Sequence, residues 1–338
     1  MTIVVTGTAG FIGAAVAERL LALGHVVAGL DNFNTYYDVR LKEARWARLA
    51  GHKNYRGYRL DIADKPLVLA AMDEAKPTRI VHLAAQAGVR HGLENPQAYV
   101  DSNLVGFANI LEAARALRVA HLIFASSSSV YGANRSLPFA ENHSADHPIS
   151  LYAATKRSNE LLAHSYAHLF QIPCTGLRFF TVYGPWGRPD MAPTKFTARI
   201  FADETIDLHT KGAGDLRRDF TYIDDIVEGV VRVLDHVPVA DDGWNAFDPS
   251  PDGSSVAPFR LFNIGRGEPV DLMDFVRLLE KHIGKKAKLN RVPIQPGEVD
   301  ATWCEISALE RAVGYRPRVS LDEGLAKMVA WYRGYHKL

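Results

Sequence analysis

The hydrophobic residues at the start of the chain fall into two short β-branched runs separated by a stretch with helical spacing. Residues 3–5 form the first run and residues 25–30 the second, and such runs are typical of strands buried on both faces. Between them, residues 11–23 carry apolar side chains at helical spacing, and Gly24 stands where a helix C-terminal cap belongs. The pattern predicts a strand, a helix and a second strand.

The same alternation of strand-like and helical segments continues to about residue 180. Helices are predicted over residues 39–49, 97–117 and 151–170, with a further one opened by Asp64 as its cap and Pro66 in its first turn. Strands are predicted over residues 55–60, 79–83, 122–125 and 174–180. Strands that alternate with helices in this way predict an α/β fold with a parallel, doubly wound sheet.

After residue 183 the regular alternation of strand-like and helical segments ends. This part of the chain begins with a loop rich in glycine and proline. We expect strands at 218–222 and 260–264, a loop insertion at 239–258, and helices at 194–203, 224–235, 271–283 and 321–335. Asp224 and Asp225 are interpreted as N-terminal caps rather than catalytic acids.

These elements predict two domains. The first covers residues 1–180, and elements around 219–237 and 260–264 return to it. The second is a smaller C-terminal α/β substrate domain over residues 181–218 and 238–338.

The composition argues against several classes of protein. The 338 residues are 47% hydrophobic and carry a net charge of +1, which gives no basic field for nucleic acid. No apolar run reaches the roughly 18 residues of a membrane span, and a fold that begins at residue 2 leaves no room for a signal peptide. Cys174 and Cys304 are far apart and lack metal-ligand spacing, so we expect core thiols, no metal and a cytoplasmic location.

The turn after the first strand carries the first candidate chemistry. Gly7, Gly10 and Gly13 follow one another at three-residue spacing, as in turns that bind the pyrophosphate of a dinucleotide. The phosphates would lie on free amides at the start of the helix, around Phe11 and Ile12, where the helix dipole also favours anions. A glycine-rich turn without a ligand is the weaker alternative.

The ends of the second and third strands supply candidates for the adenosine part of a dinucleotide. Asp31 lies 18 residues past Gly13, close to the roughly 20 expected for a carboxylate that binds ribose hydroxyls. A 2′-phosphate would meet the negative charge of Asp31, so this residue favours NAD over NADP. Asn32, Asp61 and Ile62 also lie at strand ends, where ligands of such sheets bind.

Three features suggest a proton-transfer site: the serine run at residues 126–129, then Tyr152, then Lys156. Tyr152 and Lys156 are four residues apart and so share one helix face. A free tyrosine has a pKa of about 10, and a neighbouring ammonium together with an oxidised nicotinamide would favour the tyrosinate. The alternative is a surface tyrosine and lysine on an amphipathic helix.

Four motifs in order resemble the extended short-chain dehydrogenase/reductase family. They are TGTAGFIG, HLAAQ, the serine run followed by VYG, and YAATK. The resemblance implies a Rossmann sheet, with Tyr152 as the base for a sugar hydroxyl and Lys156 holding the nicotinamide ribose. Ser127 would bond the reacting oxygen, and Ser129 would share that task. Further residues are implied to lie beside NAD: Leu83, Ala84, Ala85, Gln86, Asn103, Ser126 and Phe179.

Within that family the chain is similar to UDP-glucuronate 4-epimerases. The segments that carry this narrower resemblance are DNFNTYYDVRLK, ASSSSVYG, LRFFTVYGPWGRPDM and RDFTYIDDIVEGV. The resemblance implies NAD-dependent epimerisation of a UDP-sugar, with Thr181 where UDP-glucose 4-epimerases have asparagine. Arg188 follows in a loop that faces the cleft, and its planar fork suits a carboxylate. A structural loop arginine is the alternative for Arg188.

Other functions remain open at this stage. UDP-glucuronate decarboxylases and UDP-glucose 4-epimerases are the nearest enzymes, and a non-catalytic NAD-sensing protein or a scaffold would use the same fold. Dehydration is disfavoured, because the serine run lacks the Asp-Glu pair of dehydratases. The UDP-sugar is expected to contact Ser127, Ser128, Ser129, Tyr152, Thr181, Arg188, Arg218 and Gln295, with Glu298 and Arg90 as weaker candidates. The family also implies a homodimer through the helices at 97–117 and 151–170.

Overall fold

The computed structural model describes residues 1–89, 91–211, 214–245, 247, 253–294 and 301–338. Fourteen strands lie within these ranges: β1 Thr2–Thr6, β2 Val26–Asp31, β3 Tyr55–Arg59, β4 Arg79–His82, β5 His121–Ser127, β6 Cys174–Phe179, β7 Thr181–Tyr183, β8 Thr205–Lys211, β9 Gly214–Asp215, β10 Arg217–Tyr222, β11 Phe259–Ile264, β12 Pro269–Asp271, β13 Lys288–Pro293 and β14 Ala301–Thr302. Twelve α-helices accompany them: α1 Phe11–Ala22, α2 Val39–Ala50, α3 Lys65–Ala75, α4 His91–Glu94, α5 Pro96–Tyr99, α6 Gly106–Leu117, α7 Leu151–Phe170, α8 Ala192–Phe201, α9 Ile223–Asp235, α10 Leu272–Ile283, α11 Ser307–Val313 and α12 Leu321–His336.

The main sheet has seven parallel strands in the order β11-β6-β5-β4-β1-β2-β3. This confirms the predicted α/β fold with a parallel, doubly wound sheet. The strand order reverses between β1 and β4, since the chain moves away from β1 on one side through β2 and β3 and returns on the other. A crevice at the carboxyl ends of the strands is expected at such a switch point.

Strand β1 is buried on both faces, as its β-branched run predicts. Ile3 and Val5 pack into one hydrophobic core, which includes α1 and α9. Val4 points to the opposite face, where it packs into a second core built with α3 and α6. Helices therefore cover both faces of the sheet, and the ends of the strands are the part left accessible to ligands.

The later part of the chain forms two smaller sheets. One joins β12, β10 and β14, with β7 paired to β10, and the other has the order β13-β8-β9. The strand β8 is absent from the sequence-based expectation, although Ile206 and Leu208 alternate with polar residues and are fully buried. Strand β11 pairs with β6 at the edge of the main sheet. The positions of the domain boundaries stay a prediction.

The predicted long helix over residues 97–117 is interrupted. A π-helical segment, Val100–Val105, lies between α5 and α6. Within it, the carbonyl of Asn103 accepts a hydrogen bond from Asn159 Nδ2 at 2.6 Å, so a side chain of α7 supplies a donor within the widened turn. Such π segments are frequent at functional sites, and the sequence periodicity does not distinguish them from an α-helix.

Helix caps are confirmed at one predicted position and corrected at another. Asp64 Oδ1 accepts a hydrogen bond from the Leu67 amide at 3.1 Å, as a cap does. Asp225, however, does not cap α9, since its carboxylate accepts from the amides of Arg318 and Val319, both at 3.0 Å. Asp224 is not the cap either, because the N-cap residue of α9 is Tyr222 and both acids lie within the first turn of the helix.

Two expectations from composition concern cysteines and membrane spans. Cys174 and Cys304 are both buried and free, which confirms the predicted core thiols. Among the helices of the described residues, none combines the length and the apolar character that crossing a membrane requires.

Candidate active site

The glycine turn after β1 is packed so closely that side chains do not fit. Gly7 has a φ of +78°, and a Cβ there would lie 3.0 Å from the Ala84 nitrogen. A Cβ on Gly13 would lie 2.0 Å from the Gly7 carbonyl oxygen, and one on Gly10 would lie 2.9 Å from the same atom. The three glycines thus let the first turn of α1 rest on the loop, and the bare backbone is open to an anionic ligand.

Asp31 closes the other side of this turn. Its Oδ2 accepts from the Ala9 amide at 2.9 Å and its Oδ1 from the Phe33 amide at 2.9 Å. Burial raises the pKa of Asp31, and these two hydrogen bonds act in the opposite direction. Each oxygen keeps a lone pair for a further donor, which is what a carboxylate needs to bind ribose hydroxyls.

The segment after β4 is fixed by Thr6, a residue that the sequence analysis missed. The Thr6 hydroxyl oxygen accepts from the amides of Leu83 at 3.1 Å and Ala84 at 3.0 Å. Its only proton is then directed to His82 Nδ1, 2.9 Å away, so the ring proton of His82 lies on Nε2. Burial lowers the pKa of His82 to about 3. The neutral ring therefore accepts the hydrogen bond of Thr6, and Thr6 in turn holds the backbone of Leu83 and Ala84.

Asn103, in the π-helical segment, supports the next residue of that wall. Its Oδ1 accepts from the Gln86 amide at 2.9 Å, and its Nδ2 donates to the Gln86 carbonyl at 3.0 Å. The same Nδ2 donates to Thr155 Oγ1 at 3.0 Å, on α7. Asn103 therefore lies behind Gln86, where it positions a residue that the resemblance placed beside the cofactor.

Tyr152 and Lys156 lie one turn apart on α7 and face the carboxyl end of β5. Burial raises the pKa of Tyr152, while a hydrogen bond with Ser127 and the charge of Arg188 oppose this rise. Lys156 Nζ donates to the Ala125 carbonyl at 2.9 Å, and burial lowers its pKa to about 8. The tuning of Tyr152 by Lys156 stays a prediction, and the charge of Arg188 is a second influence that opposes the rise in the pKa of Tyr152.

The serine run divides into two parts. Ser126 Oγ donates to Glu160 Oε1 at 2.6 Å, and Glu160 is also paired with Arg178 at 2.8 and 2.9 Å. Ser127 Oγ donates to Ser129 Oγ at 3.2 Å and accepts from the Ser129 amide at the same distance. The buried ion pair thus anchors the start of the run, and the hydroxyls of Ser127 and Ser129 are left near Tyr152.

These elements surround one cavity of about 360 Å³. Most of the sequence-predicted site residues line it: Gly7, Gly10, Phe11, Ile12, Gly13, Asp31, Asn32, Ile62, Leu83, Ala84, Ala85, Gln86, Ser126, Ser127, Ser128, Ser129, Tyr152, Lys156, Phe179, Thr181 and Arg188. Asp61 is exposed and is not among the lining residues, but its Oδ2 accepts from Nδ2 of the lining residue Asn32 at 2.8 Å. The cavity therefore extends from the glycine turn to the loop that carries Arg188.

Four residues predicted to contact the substrate are not among the described residues that line this cavity. Arg218 lies on β10, outside the lining residues, and its Nη1 donates to the Arg217 carbonyl at 2.9 Å. Gln295 and the weaker candidate Glu298 lie outside the described residues, as does Arg90. The contacts proposed for them with the UDP group stay predictions.

The loop after β2 and the start of α2 contribute lining residues that the sequence analysis did not assign. Asn34, Tyr36, Tyr37 and Lys42 all face the cavity. Lys42 Nζ donates to the Asn34 carbonyl at 2.7 Å and to its Oδ1 at 2.6 Å, and burial lowers the pKa of Lys42 to about 8. The sequence shows three of these residues within the polar, aromatic segment NFNTYYD. The spacing of this segment matches no general pattern of a ligand-binding site.

Comparison with known proteins places the whole chain in one family. Residues 4–328 match the family described as GDP-mannose 4,6 dehydratase. A probable UDP-glucuronate 4-epimerase of Rhizobium meliloti is 51% identical over 333 residues, which cover 98% of this chain and 97% of that protein. UDP-glucuronate 4-epimerase 1 of Arabidopsis thaliana is 44% identical over 99% of this chain and 77% of its own length.

A solved structure shares the fold over the same extent. The UDP-glucuronic acid 4-epimerase of Bacillus cereus, in complex with UDP-glucuronic acid and NAD, is 33% identical. The similarity covers 99% of this chain and 100% of that one, with a TM-score of 0.87.

Proposed function

The chain belongs to the GDP-mannose 4,6 dehydratase family, within the extended short-chain dehydrogenase/reductases, and we propose that it is an NAD-dependent UDP-glucuronate 4-epimerase. The enzyme interconverts UDP-glucuronate and UDP-galacturonate through a transient 4-keto sugar. One observation carries this proposal: the proton-transfer residue Tyr152 and the carboxylate-binding candidate Arg188 face the same cavity, which extends to the glycine turn.

The residues around the turn fit NAD. An added Cβ at Gly7, Gly10 or Gly13 would collide with the neighbouring backbone, so the turn stays free of side chains, as binding of a pyrophosphate through backbone amides requires. Asp31, beside the turn, suits the ribose hydroxyls and repels a 2′-phosphate. We propose that residues 1–180 form the domain that holds this cofactor.

The side chains around Tyr152 suit a reversible proton transfer. The tyrosinate accepts the proton of the sugar 4-hydroxyl, and the Ser127 hydroxyl, hydrogen-bonded with Tyr152, bonds the same oxygen. NAD, when bound, supplies the acceptor that takes the hydride from C4 and gives it back. Tyr152 then returns its proton to the oxygen after the 4-keto sugar has turned over, so neither proton nor hydride is consumed.

Arg188 gives the site its preference for a uronate. Its guanidinium lies at the cavity with 22% of the side chain exposed, and such a fork pairs well with a carboxylate. A neutral hydroxymethyl group would leave this partly buried charge without the additional partner. Thr181, in the same lining, is the second candidate for this contact.

Incubation with UDP-glucuronate, followed by NMR of the products, tests the proposed function. We expect an equilibrium mixture with UDP-galacturonate and no net consumption of NAD. A pentose product would identify a decarboxylase instead. A protein that converts UDP-glucose but not UDP-glucuronate would be a UDP-glucose 4-epimerase, and either outcome would overturn the proposal.

Replacement of Asp31 by alanine is expected to weaken NAD binding and relax the rejection of NADP. The change removes both the acceptor for the ribose hydroxyls and the negative charge that repels a 2′-phosphate. Titration of cofactor-free protein with NAD and with NADP measures the preference directly. If the wild-type protein binds both dinucleotides equally, Asp31 does not hold the ribose.

We propose that the protein is a homodimer that associates through α6 and α7. Four apolar side chains on or beside these helices are at least two-fifths exposed: Val105, Leu161, Leu169 and Phe170. Exposed apolar side chains on neighbouring helices are candidates for an interaction surface.

The cysteines bear on the cellular location of the protein. The thiols of Cys174 and Cys304 are free and buried, which fits a reducing compartment, and we propose that this compartment is the cytoplasm.

Substitution of Leu161 by glutamate is expected to convert the dimer to a monomer, because the new charge would be buried at the contact. Light scattering coupled to size exclusion measures the mass. Leu23→Glu is the matched control, since Leu23 is 45% exposed at the end of α1, and α1 packs on the face of the sheet opposite to α6 and α7. A dimeric Leu161→Glu variant would place the contact elsewhere.

A further inference from the structure

The guanidinium of Arg188 is held along one edge by Asp190. Arg188 Nε lies 3.1 Å from Asp190 Oδ1, and Nη2 lies 2.5 Å from Oδ2. Pairing of two parallel N–H groups with two carboxylate oxygens fixes the plane of the guanidinium as well as its position. The orientation of Arg188 is therefore set before any substrate carboxylate is considered.

Asp190 is itself held by a residue of the loop after β2. The Tyr36 hydroxyl donates to Asp190 Oδ2 at 3.1 Å, across 154 residues of sequence. Tyr36 lines the cavity, and a Cβ on Gly88 would lie 2.5 Å from its hydroxyl oxygen. Tyr36 is thus packed closely against the wall that follows β4, which makes it a fixed point for Asp190.

The backbone in front of Arg188 is fixed by Arg45 of α2. Arg45 is fully buried, and its Nη2 donates to the carbonyls of Trp186 at 2.6 Å and Gly187 at 3.2 Å. Its Nη1 donates to the Ala9 carbonyl in the glycine turn at 3.2 Å. Because the backbone of the loop is held in this way, the remaining freedom of Arg188 is in its side chain, which Asp190 contacts.

The other edge of the guanidinium is left for a ligand. Arg188 Nη1 makes no hydrogen bond within the part of the chain that the structure describes, and the charge of Arg188 acts on Tyr152. We propose that Asp190, anchored by Tyr36, is a positioning residue that turns this edge towards the sugar carboxylate and thereby determines selectivity for a uronate. The inference rests on the proposed function, because it assigns the carboxylate to Arg188.

Calorimetric titration of the NAD-loaded protein with UDP-glucuronate and with UDP-glucose tests this role. We expect Asp190→Ala to weaken UDP-glucuronate about tenfold, as for a lost charge-assisted contact, and to change UDP-glucose affinity less than about twofold, since its hydroxymethyl group makes no such contact. Asp190→Asn keeps one acceptor for Arg188 and should restore part of the loss. Tyr36→Phe should shift the preference in the same direction by a smaller factor.

Glu268→Ala is the matched control. Arg266 and Glu268 form an ion pair with the same order and spacing, with Nε–Oε2 at 2.8 Å, and neither residue lines the cavity. We expect this variant to bind both sugars like the wild type. Thermal unfolding and NAD content, measured for every variant, identify any general loss of structure.

Two results would overturn the inference. Tighter binding of UDP-glucuronate by Asp190→Ala would make Asp190 a competitor for Arg188, and equal weakening of both sugars would make it a general structural residue. The proposed function has a separate readout in wild-type conversion of UDP-glucuronate. If the wild type converts this sugar while Asp190→Ala keeps the uronate preference, only the role of Asp190 is wrong.

Discussion

The Tyr152→Phe variant is expected to keep its fold and bound NAD but to epimerise UDP-glucuronate roughly 100- to 10,000-fold more slowly, the usual contribution of general acid–base catalysis. The phenyl ring occupies the same place on α7, whereas the oxygen atom that accepts and returns the proton is gone. Initial rates from NMR or coupled chromatography at saturating substrate measure the effect. A variant that retains more than about a tenth of the wild-type rate would exclude Tyr152 as the base.

Tyr166→Phe provides the control on the same helix. The Tyr166 hydroxyl donates to Glu112 Oε1 at 2.8 Å and lies outside the cavity lining. Loss of this hydroxyl removes one hydrogen bond but no group near the sugar, so we expect a rate close to that of the wild type. A similar fall in both variants would instead indicate that α7 tolerates no loss of a tyrosine hydroxyl.

The Arg188→Ala variant is expected to lose epimerisation and to bind UDP-glucuronate poorly. The 4-keto form of a glucuronate is a β-keto acid, which loses carbon dioxide readily when its carboxylate stands perpendicular to the ketone plane. An epimerase must hold the carboxylate near that plane on both sides of the rotation of the sugar. A charge-assisted contact contributes roughly 1.5–3 kcal/mol, enough to change the partition about tenfold or more.

Residual flux in Arg188→Ala should therefore leak towards UDP-4-keto-pentose. Affinities for UDP-glucuronate and UDP-glucose, together with product analysis, measure the two halves of this prediction. Arg40→Ala is the control, since Arg40 forms an ion pair with Asp38 two residues away but does not line the cavity. Equal weakening of both sugars by Arg188→Ala would make Arg188 a structural or diphosphate residue and remove the main support for a uronate substrate.

The Asp190 and Arg188 variants report on different aspects of the same contact. Arg188→Ala removes the charge that pairs with the carboxylate, whereas Asp190→Ala keeps that charge and frees its orientation. If orientation matters, the product partition in Asp190→Ala should also move towards the decarboxylated sugar. The comparison separates the electrostatic part of uronate recognition from its geometric part.

The sequence by itself determined the features that local spacing encodes. The spacing of Gly7, Gly10 and Gly13 specifies a turn without side chains, and the Cβ distances at all three positions confirm the tight packing. The four-residue interval from Tyr152 to Lys156 is one helical turn, so both residues face one side of α7 in any structure that forms this helix. Burial of β1 on both faces follows equally from its β-branched run.

Only the tertiary structure decided which distant side chains complete the site. The Thr6–His82 and Tyr36–Asp190 hydrogen bonds span 76 and 154 residues, and Arg45 reaches a loop 141 residues away. No periodicity along the chain records such contacts, because they depend on strand order and loop packing. The same reason applies to the π-helical turn at Asn103, whose carbonyl accepts a hydrogen bond from Asn159 on another helix.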